Sequence, residues 1–386
     1  MCHIGIFLLY FSAVKQYDVI LIGGGLAGLT AAIHLAKEQL SVMVFERHTY
    51  PRHKVCGEYV SNEVTPYLQF LGVYLQLLQL PQINNFVITT QKGREISQDL
   101  ELGGFGISRY AFDELLYERA KKLGVHFVFE KVEEVIQIQE SYSVRSRTHD
   151  VSARLVLGCF GKRSNLDQLL NRDFIHQPAH WVGIKAHYSH PNFPRNKVEL
   201  HNFEGGYCGL SLTETNHVNL CYLAKYKSFK KYKNVDEFNA KVLSKNPHLA
   251  KFFAESNLVF EKHLAIAQVS FEPKKAVEQN MLMLGDAAGL IHPLCGNGMA
   301  MAIHSAKIAS EEVLDFQKHQ SKSLLFENYT QKWKTNFESR MKFGRLFQKI
   351  LMHQKLTHIG MTLGSKMPFL VQKMIAKTHG NPIVCQ

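Results

Sequence analysis

One glycine-rich turn near the N-terminus restricts the fold of this chain more than any other stretch. The apolar, β-branched residues 17–22 are typical of a strand buried on both faces, and they lead directly into residues 23–28. These six residues match G-x-G-x-x-G. Gly23 permits a tight turn, Gly25 leaves room for a pyrophosphate, and Gly28 lets the next helix lie close to the sheet. The pattern predicts a βαβ unit that binds a dinucleotide.

The sequence that follows the turn supports the same prediction. Residues 29–37 are good helix formers with an apolar face, so free N–H groups and the positive helix end would point at the phosphates. A second apolar strand ends at Glu46, which lies 23 residues after Gly23. About 20 residues is the spacing expected for a carboxylate that binds a ribose hydroxyl. A plain βαβ unit without a nucleotide is the alternative.

Composition and charge narrow the class of protein. The 386 residues can form two domains and an appendage, and 46% hydrophobic with 20% charged residues is typical of a soluble globular protein. The net charge of +12 fits a nucleic acid, an anionic membrane, an anionic cofactor or simply a solvated lysine-rich surface. Because the chain lacks a basic-aromatic repeat and zinc-finger spacing, we predict no nucleic-acid partner.

The cysteine and histidine patterns argue against disulfides and metal sites. Seven cysteines are scattered without a C-x-x-C pair, which indicates a reducing, cytoplasmic environment. Twenty histidines show no H-E-x-x-H or comparable spacing, so we predict no metal. The apolar stretch 4–11 lacks a basic start and a cleavage site and is too short to span a bilayer. A disordered leader, a start codon assigned too early or a short membrane-surface anchor would each explain it.

Hydrophobic periodicity predicts the elements in the rest of the chain. We expect one or two helices over 62–80, strands within 86–100 and 125–157, and a helix that begins after Ser108 as its N-cap. The period shifts to two over 181–223, which predicts a separate antiparallel sheet and the best location for a substrate wall. Residues 235–256 are expected to be helical with a break at Pro247. The lysine-rich tail 321–386 is expected to be helical with breaks near Gly344, Gly360 and Gly364.

A second glycine-rich segment has the same order of elements as the first: a buried strand, glycines and a helix. A short buried strand, 281–284, leads into Gly285 and Asp286, and Gly296-Asn297-Gly298 precedes a helix that runs from Met299 to about residue 317. The Asp286 carboxylate can accept hydrogen bonds from sugar-like hydroxyls, while the amides of 296–298 can donate to anionic oxygen. Asp286 could instead merely cap a turn, but the first motif favours a ligand.

Together these motifs resemble the FAD-dependent oxidoreductases shaped like p-hydroxybenzoate hydroxylase, and within them the geranylgeranyl-reductase-like branch. The resemblance covers about residues 16–317. It implies that the first motif holds the ADP half of FAD, that Gly285 and Asp286 hold the ribityl chain, and that Arg109 opens the helix beside the cofactor. The residues that it places at FAD are Gly23, Gly25, Leu26, Ala27, Gly28, Glu46, Arg47, Cys56, Gly57, Arg109, Val132, Gly285, Asp286, Gly296, Gly298 and Met299.

A second resemblance concerns the residues next to the reacting end of the cofactor. Residues 51–57 look like the P-x-x-K-x-C-G element of the reductase branch, which implies that Cys56 lies near the isoalloxazine ring. Arg52 or Lys54 could lower its pKa and make it a proton donor or a thiolate. A small packing residue beside a glycine is an equal alternative. Tyr207 either lines the same cavity or is a cross-strand aromatic residue.

Several departures limit what the resemblance implies. Phe160-Gly161 stands where many relatives carry Asp-Gly, so NAD(P)H is expected only as a transient reductant, and Glu58 stands where a second glycine often closes the cysteine motif. The chain has two tryptophans and no W-x-W-x-I-P element, which argues against a flavin halogenase. It has no second G-x-G-x-x-G, which argues against a disulfide-reductase layout.

The sequence therefore predicts an α/β fold: a Rossmann-type FAD-binding domain with a parallel sheet, an antiparallel-sheet substrate domain and a helical C-terminal tail. The expected bounds are a leader at 1–16, an FAD domain at 17–80, 105–180 and 265–317, a substrate domain at 81–104 and 181–264, and a tail at 318–386.

The expected activity is FAD-dependent reduction of a C=C bond in a lipophilic, isoprenoid- or polyketide-like molecule. The alternatives are an aromatic or polyketide monooxygenase, a flavin-bound sensor without turnover, and a peripheral membrane module. Candidate partners are an electron-donor protein and an anionic membrane on the cytoplasmic side, the latter through an amphipathic segment at 345–373.

Overall fold

The structure is a computed structural model that describes residues 16–290 and 296–385. The expected leader, apart from residue 16, and the loop residues 291–295 lie outside the described residues. The strands are β1 (Gln16–Ile22), β2 (Val42–Phe45), β3 (Tyr59–Ser61), β4 (Gln82–Thr89), β5 (Glu95–Gly106), β6 (His126–Val128), β7 (Val132–Ile138), β8 (Ser141–Ser146), β9 (Asp150–Gly158), β10 (Trp181–Ser189), β11 (Lys197–Phe203), β12 (Gly206–Leu212), β13 (Val218–Lys225), β14 (Asn257–Leu258), β15 (Leu264–Val269), β16 (Val277–Glu278) and β17 (Met281–Met283).

Helices cover both sheets. The α-helices are α1 (Leu26–Lys37), α2 (Thr65–Phe70), α3 (Arg109–Lys122), α4 (Asn165–Leu169), α5 (Tyr226–Phe229), α6 (Val235–Lys241), α7 (Pro247–Glu255), α8 (Gly298–His319), α9 (Lys322–Leu351), α10 (Gln354–Lys366) and α11 (Pro368–Thr378). Helix α1 packs between α3 and α8, and α9 runs along α8 toward the second sheet.

The first sheet carries the predicted parallel core. Its order is β16-β17-β9-β1-β2-β6. In addition, β8 pairs with the first residues of β9, and β7 pairs with β8. The pairs β17–β9, β9–β1, β1–β2 and β2–β6 are parallel. Ile22 is in register with Phe45 and with Gly158, so the turn after β1, the acid after β2 and the loop after β9 meet at one edge. This confirms the predicted sheet and places its carboxyl edge at the glycine turn.

The second sheet has the order β14-β10-β13-β12-β11-β4-β5-β3, with β15 also paired to β10. All its pairs are antiparallel except β4–β11, which is parallel. One face packs against α6 and α7 around Ile184, Leu220 and Phe238. The opposite face is turned toward the first sheet and the C-terminal helices; we call it the inner face. The predicted antiparallel sheet and helical C-terminal region are confirmed.

Some predicted helix limits were wrong. Gly344 lies inside α9, and Gly360 and Gly364 lie inside α10, so the tail breaks instead at Met352–His353 and before Pro368. Glycine is tolerated at 364 because a Cβ there would lie only 3.0 Å from Ile96 Cδ1, so close helix packing offsets the propensity cost. Only residues 65–70 of the stretch 62–80 form an α-helix. The predicted break at Pro247 is confirmed, since α6 ends at Lys241 and Pro247 begins α7.

A buried histidine ties α1 to α2 and makes stability depend on pH. His34 is buried, its Nδ1 lies 2.8 Å from the Tyr67 hydroxyl, and burial together with Lys307 and Lys37 lowers its pKa to about 4. The unfolded chain takes up this proton near pH 6.5, so the unfolding free energy should fall as the pH drops from 6.5 to 4. We expect His34 to contribute about 3 kcal/mol to that fall.

Denaturant unfolding between pH 4 and 7 measures this effect. A His34→Gln variant should lose the His34 part of the slope, whereas His319→Gln, at an exposed position, should keep the slope of the parent protein. Identical slopes in the parent and His34→Gln would show that His34 does not couple protonation to folding.

Candidate functional site

The glycine turn after β1 has the geometry that a phosphate-binding turn requires. Gly23 has φ of 110°, and a Cβ there would lie 2.4 Å from the Cys159 carbonyl oxygen. A Cβ at Gly28 would lie 2.0 Å from the Gly23 carbonyl oxygen, so only glycine lets α1 approach the turn. At Gly25 a Cβ would meet nothing closer than Arg109 Nη2 at 3.8 Å. The space over Gly25 is therefore open toward a basic side chain.

Glu46 closes one side of this turn. Its Oε2 accepts from the Gly24 N–H at 3.0 Å, and its Oε1 accepts from the His48 N–H at 3.2 Å. Arg47 beside it is exposed. The carbonyl of Val132, which the resemblance places at the adenine, accepts a hydrogen bond from Asn165 Nδ2 at 3.3 Å, and the Val132 side chain is buried. The cofactor roles of these residues remain predictions.

Arg109 lies at the start of α3 and faces the open side of Gly25. Ser108 caps the helix as predicted, since its Oγ accepts from the Ala111 N–H at 3.1 Å. The Arg109 guanidinium donates twice to Asp113, at 2.7 and 2.8 Å, and Lys54 Nζ lies 2.7 Å from the same carboxylate. Burial opposes the charged form of Arg109, but Asp113 and the nearby Cys56 raise its pKa above the ordinary value. The site therefore holds two cations against one buried carboxylate.

The Cys56 loop is fixed by hydrogen bonds to its backbone carbonyls. Lys162 Nζ donates to the Val55 oxygen at 3.3 Å, Asn219 Nδ2 to the Cys56 oxygen at 3.1 Å, and Ser211 Oγ to the Gly57 oxygen at 3.3 Å. The Cys56 side chain contacts the Arg109 guanidinium. The loop thus lies on the inner face with its cysteine turned toward the glycine turn.

The cations predicted to flank Cys56 have other partners. Arg52 pairs with Glu46 at 3.5 Å, and Lys54 pairs with Asp113. Arg109, which the sequence argument assigned only to the cofactor, is the cation that reaches the sulfur. Of the three basic side chains, Arg109 is therefore the one in contact with the Cys56 side chain.

A buried charged cluster follows the loop directly. Glu58 is fully buried in the left-handed region, with φ of 55°, and its Oε1 accepts from the Arg109 backbone N–H at 2.7 Å. His187 Nε2 lies 2.7 Å from Glu58 Oε2, and the fully buried Lys185 ammonium contacts Oε1. Burial alone would raise the pKa of Glu58, but Lys185 and His187 hold it below the ordinary value. We call Glu58, Lys185 and His187 the charged cluster.

His53 connects this cluster to the surface. Its ring is half-buried, 5.0 Å from the His187 ring and 4.6 Å from the Phe260 ring, and burial with Lys185 lowers its pKa to about 4. One ligand atom from each of His53, Glu58 and His187 lies within 4.8 Å of the others. Because the Lys185 ammonium occupies the same carboxylate, the group is better described as an ion-pair cluster than as a cation site.

The inner face changes character along its length. Lys185 and His187 lie at one end beside Asn219 and Ser211, and small residues follow toward the middle, where Gly209 pairs with Cys221. The far end is apolar, with Tyr207, Leu200 and Ile88 packed against Leu351 and Met361 of the tail helices. The buried position of Tyr207 places it in this apolar wall.

The second glycine segment converges on the first. Gly285 has φ of 56°, and a Cβ there would lie 3.1 Å from Ala27 Cβ at the start of α1. The Asp286 carbonyl accepts from Lys274 Nζ at 2.8 Å, and its half-buried side chain is at the rim of a cleft. The residues that line this cleft are Gly285, Asp286, Gly289, Gly298, Met301, Ala302, Ser305, Trp333 and Phe337.

Two long helices therefore aim their N-termini at one region. Helix α1 begins after Gly25 and α8 after Asn297, and neither N-cap residue makes a side-chain capping bond. Free amides and positive helix ends, next to Arg109, fit the pyrophosphate of a dinucleotide. Leu26, Ala27 and Met299 have buried side chains, so only their backbone groups can reach such a ligand.

Sequence reasoning missed most of the charged cluster. Lys185 and His187 lie on a predicted strand without a motif, and Glu58 stood out only because it replaces a glycine. Alternation along 182–188 does contain a signal, because a lysine and a histidine lie two residues apart on the face opposite the apolar one.

Comparison with known proteins agrees with this geometry. Residues 16–342 match the family model described as FAD binding domain. Conditioned medium factor receptor 1 of Dictyostelium discoideum is 22% identical, with 85% of this chain and 69% of the receptor covered. Digeranylgeranylglycerophospholipid reductase of Methanococcus vannielii is 23% identical, with 85% and 83% covered. The flavin-dependent brominase Bmp2 superposes with a TM-score of 0.79 at 18% identity, with 94% and 93% covered, which shows a shared fold.

The family model spans both glycine segments, Arg109 and the whole second sheet, so the match covers the site as well as the fold. By name, the relatives include digeranylgeranylglycerophospholipid reductases, and the similar solved structures include a flavin-dependent brominase. From its sequence, its fold and the meeting of its two helix N-termini, the chain belongs to the FAD binding domain family and is an FAD-dependent enzyme.

Proposed function

We propose that this enzyme reduces a C=C bond of a lipophilic, isoprenoid- or polyketide-like molecule. The observation that supports this most directly is the gradient along the inner face, which joins an apolar wall to a buried charged cluster beside the glycine turn. An elongated apolar molecule with one polar or reactive end matches that gradient. The name of the reductase relative, which acts on digeranylgeranylglycerophospholipid, supports the same substrate class.

In this proposal, some residues of the chain bind the cofactor and others transfer a proton. FAD, when bound, supplies the redox chemistry, and the protein supplies position, charge and water exclusion. The free amides of α1 and α8 and the Arg109 guanidinium would hold the pyrophosphate. Reduction of a C=C bond also needs a proton, and the Cys56 thiol or the Lys185 ammonium at the polar end of the inner face would deliver it. NAD(P)H or an electron-donor protein would supply the electrons.

Oxygen-dependent chemistry is the second candidate. The similarity to the brominase Bmp2, which covers 94% of this chain, favours it. The substrate would then be an aromatic or polyketide-like molecule that reacts only when oxygen is present. The missing W-x-W-x-I-P element weighs against halogenation and leaves hydroxylation as the preferred form of this candidate.

Anaerobic flavin reoxidation separates the two candidates. The FAD-loaded enzyme is reduced with dithionite and mixed with digeranylgeranylglycerophospholipid or a simpler prenyl lipid. We expect the lipid to accelerate reoxidation without oxygen and the product to contain a new C–H bond. Product formation only after oxygen is admitted would contradict C=C reduction and support the monooxygenase.

The role of Cys56 is tested in the same assay. Because a positioned proton donor contributes roughly 10²- to 10⁴-fold, Cys56→Ser should slow lipid-dependent reoxidation by a factor in this range. Cys385→Ser, at another half-buried free thiol, should leave the rate unchanged. Full activity of Cys56→Ser would remove this residue from the mechanism and leave Lys185 as the candidate donor.

A further inference from the structure

The C-terminal tail has an unusual charge. Residues 339–386 contain eight lysines and arginines and no aspartate or glutamate, so this segment accounts for most of the net charge of +12. Lys349, Lys366, Lys373 and Lys377 are exposed. A segment with only positive charges is attracted to any extended anionic surface.

Helix α10 is apolar on two opposite sides. Met361 packs into the apolar end of the inner face and Gly364 lies against Ile96 of the second sheet, while the Thr357 hydroxyl donates to the Ile350 and Leu351 carbonyls at 3.0 Å. The other side carries Leu356, Ile359 and Leu363, which are 45%, 54% and 48% exposed. These three residues follow the i, i+3, i+7 spacing of one helix face, so they form a continuous apolar stripe.

The chain on either side of α10 also carries exposed apolar residues. Leu346 precedes it at the end of α9, and Met367 and Phe369 follow it at the start of α11, all of them exposed. Lys373 Nζ lies 5.7 Å from the centre of the Phe369 ring, which places a cation next to an exposed aromatic residue. Basic and apolar groups are therefore interspersed on the exposed sides of the tail helices, which we call the tail surface: Leu346, Lys349, Leu356, Ile359, Leu363, Lys366, Met367, Phe369, Lys373 and Lys377.

We propose that the tail surface docks the enzyme on an anionic phospholipid bilayer. Charge complementarity supports this occupant, because a basic rim around exposed leucine, isoleucine and phenylalanine matches the headgroup and acyl layers of such a membrane. In the described parts of the chain, no helix is long and apolar enough to cross a bilayer.

Helix α10 lies between the tail surface and the inner face of the second sheet. The side chains on its inner side close the apolar end of the inner face, and those on its outer side form the stripe. On the basis of the proposed function, docking would place the apolar end of the inner face one helix away from the lipid that contains the substrate. The docking itself does not depend on which reaction the enzyme catalyses.

Sedimentation with vesicles tests the proposal on the full-length, FAD-loaded protein. We expect binding to vesicles of phosphatidylglycerol and phosphatidylcholine, and at least roughly tenfold weaker binding to phosphatidylcholine alone or in high salt. The triple variant Leu356→Gln, Ile359→Gln, Leu363→Gln and the triple variant Lys366→Gln, Lys373→Gln, Lys377→Gln should each lose at least roughly tenfold in affinity. Unchanged flavin absorbance shows that each variant is folded.

Matched controls test whether vesicle binding depends on the tail surface or on exposed apolar and basic residues in general. The control variants are Ile138→Gln with Leu169→Gln, two exposed apolar side chains elsewhere, and Lys227→Gln with Lys230→Gln and Lys231→Gln, three exposed lysines. Both should sediment like the parent protein.

Absence of vesicle binding by the parent, equal losses in the controls, or unchanged binding of the apolar triple variant would overturn the proposal. If the apolar triple variant bound vesicles as well as the parent and soluble polyglutamate abolished that binding, the tail surface would instead fit an acidic protein partner. Failure of docking would leave anaerobic reoxidation by dissolved prenyl lipid intact, so the two proposals fail separately.

Discussion

A Gly25→Val variant is expected to fold normally but to lose at least roughly 100-fold in affinity for FAD, because its side chain fills the space reserved for the pyrophosphate. A Cβ at this position meets no protein atom closer than 3.8 Å, and Gly25 has an extended backbone with φ of −86°. The described residues therefore leave room for a Cβ at this position. We expect the substitution to act on the ligand, since among the described residues, the adjoining ones apart, only the Arg109 guanidinium lies within 4 Å of the added Cβ.

Titration of the flavin-free protein with FAD, followed by visible absorbance, measures this loss. Gly28→Val makes a useful contrast, because its Cβ would lie 2.0 Å from a backbone oxygen and should destabilise the fold itself. Gly360→Ala, where a Cβ meets nothing within 4 Å, should bind FAD like the parent. Normal FAD affinity of a folded Gly25→Val protein would show that the pyrophosphate does not lie at this turn.

The parts of the site that are local in sequence could be predicted. The glycine turn, Glu46 and the N-cap Ser108 depend on contacts between residues close in sequence or on one backbone conformation, and such requirements leave a readable pattern. The strands of the second sheet were predicted for the same reason, since alternation records which face is buried.

The parts that depend on distant pairing could not be predicted. Glu58 meets Lys185 and His187 only because β10 passes under the loop that follows β2, more than 120 residues away. The same holds for α10, whose glycines suggested breaks in the absence of the sheet and the neighbouring helix that pack against Gly364. Secondary-structure propensity reflects only the local sequence, whereas the structure at these positions depends on contacts with residues of distant segments.

Removal of the Glu58 carboxylate is expected to cost about 3–5 kcal/mol of unfolding free energy, because it leaves the fully buried Lys185 ammonium without its partner. The backbone allows a clean comparison, since Glu58 has φ of 55° and a left-handed residue other than glycine costs roughly 1 kcal/mol. Glu58→Gly relieves that strain and Glu58→Gln does not. Both should nevertheless be strongly destabilised if the charge dominates.

The double variant Glu58→Gln with Lys185→Met separates the charge from the packing. With both charges removed it should recover most of the lost stability, since a buried ion pair replaced by groups of similar volume is often neutral or better. The pH dependence gives an independent readout. Lys185 and His187 hold the pKa of Glu58 below its ordinary 4.5, so its contribution is present above that pH and is lost as the pH falls through the lower folded value. The double variant should lack this part of the acid-induced loss. If Glu58→Gln alone were as stable as the parent at pH 7, the cluster would not hold a buried charge pair.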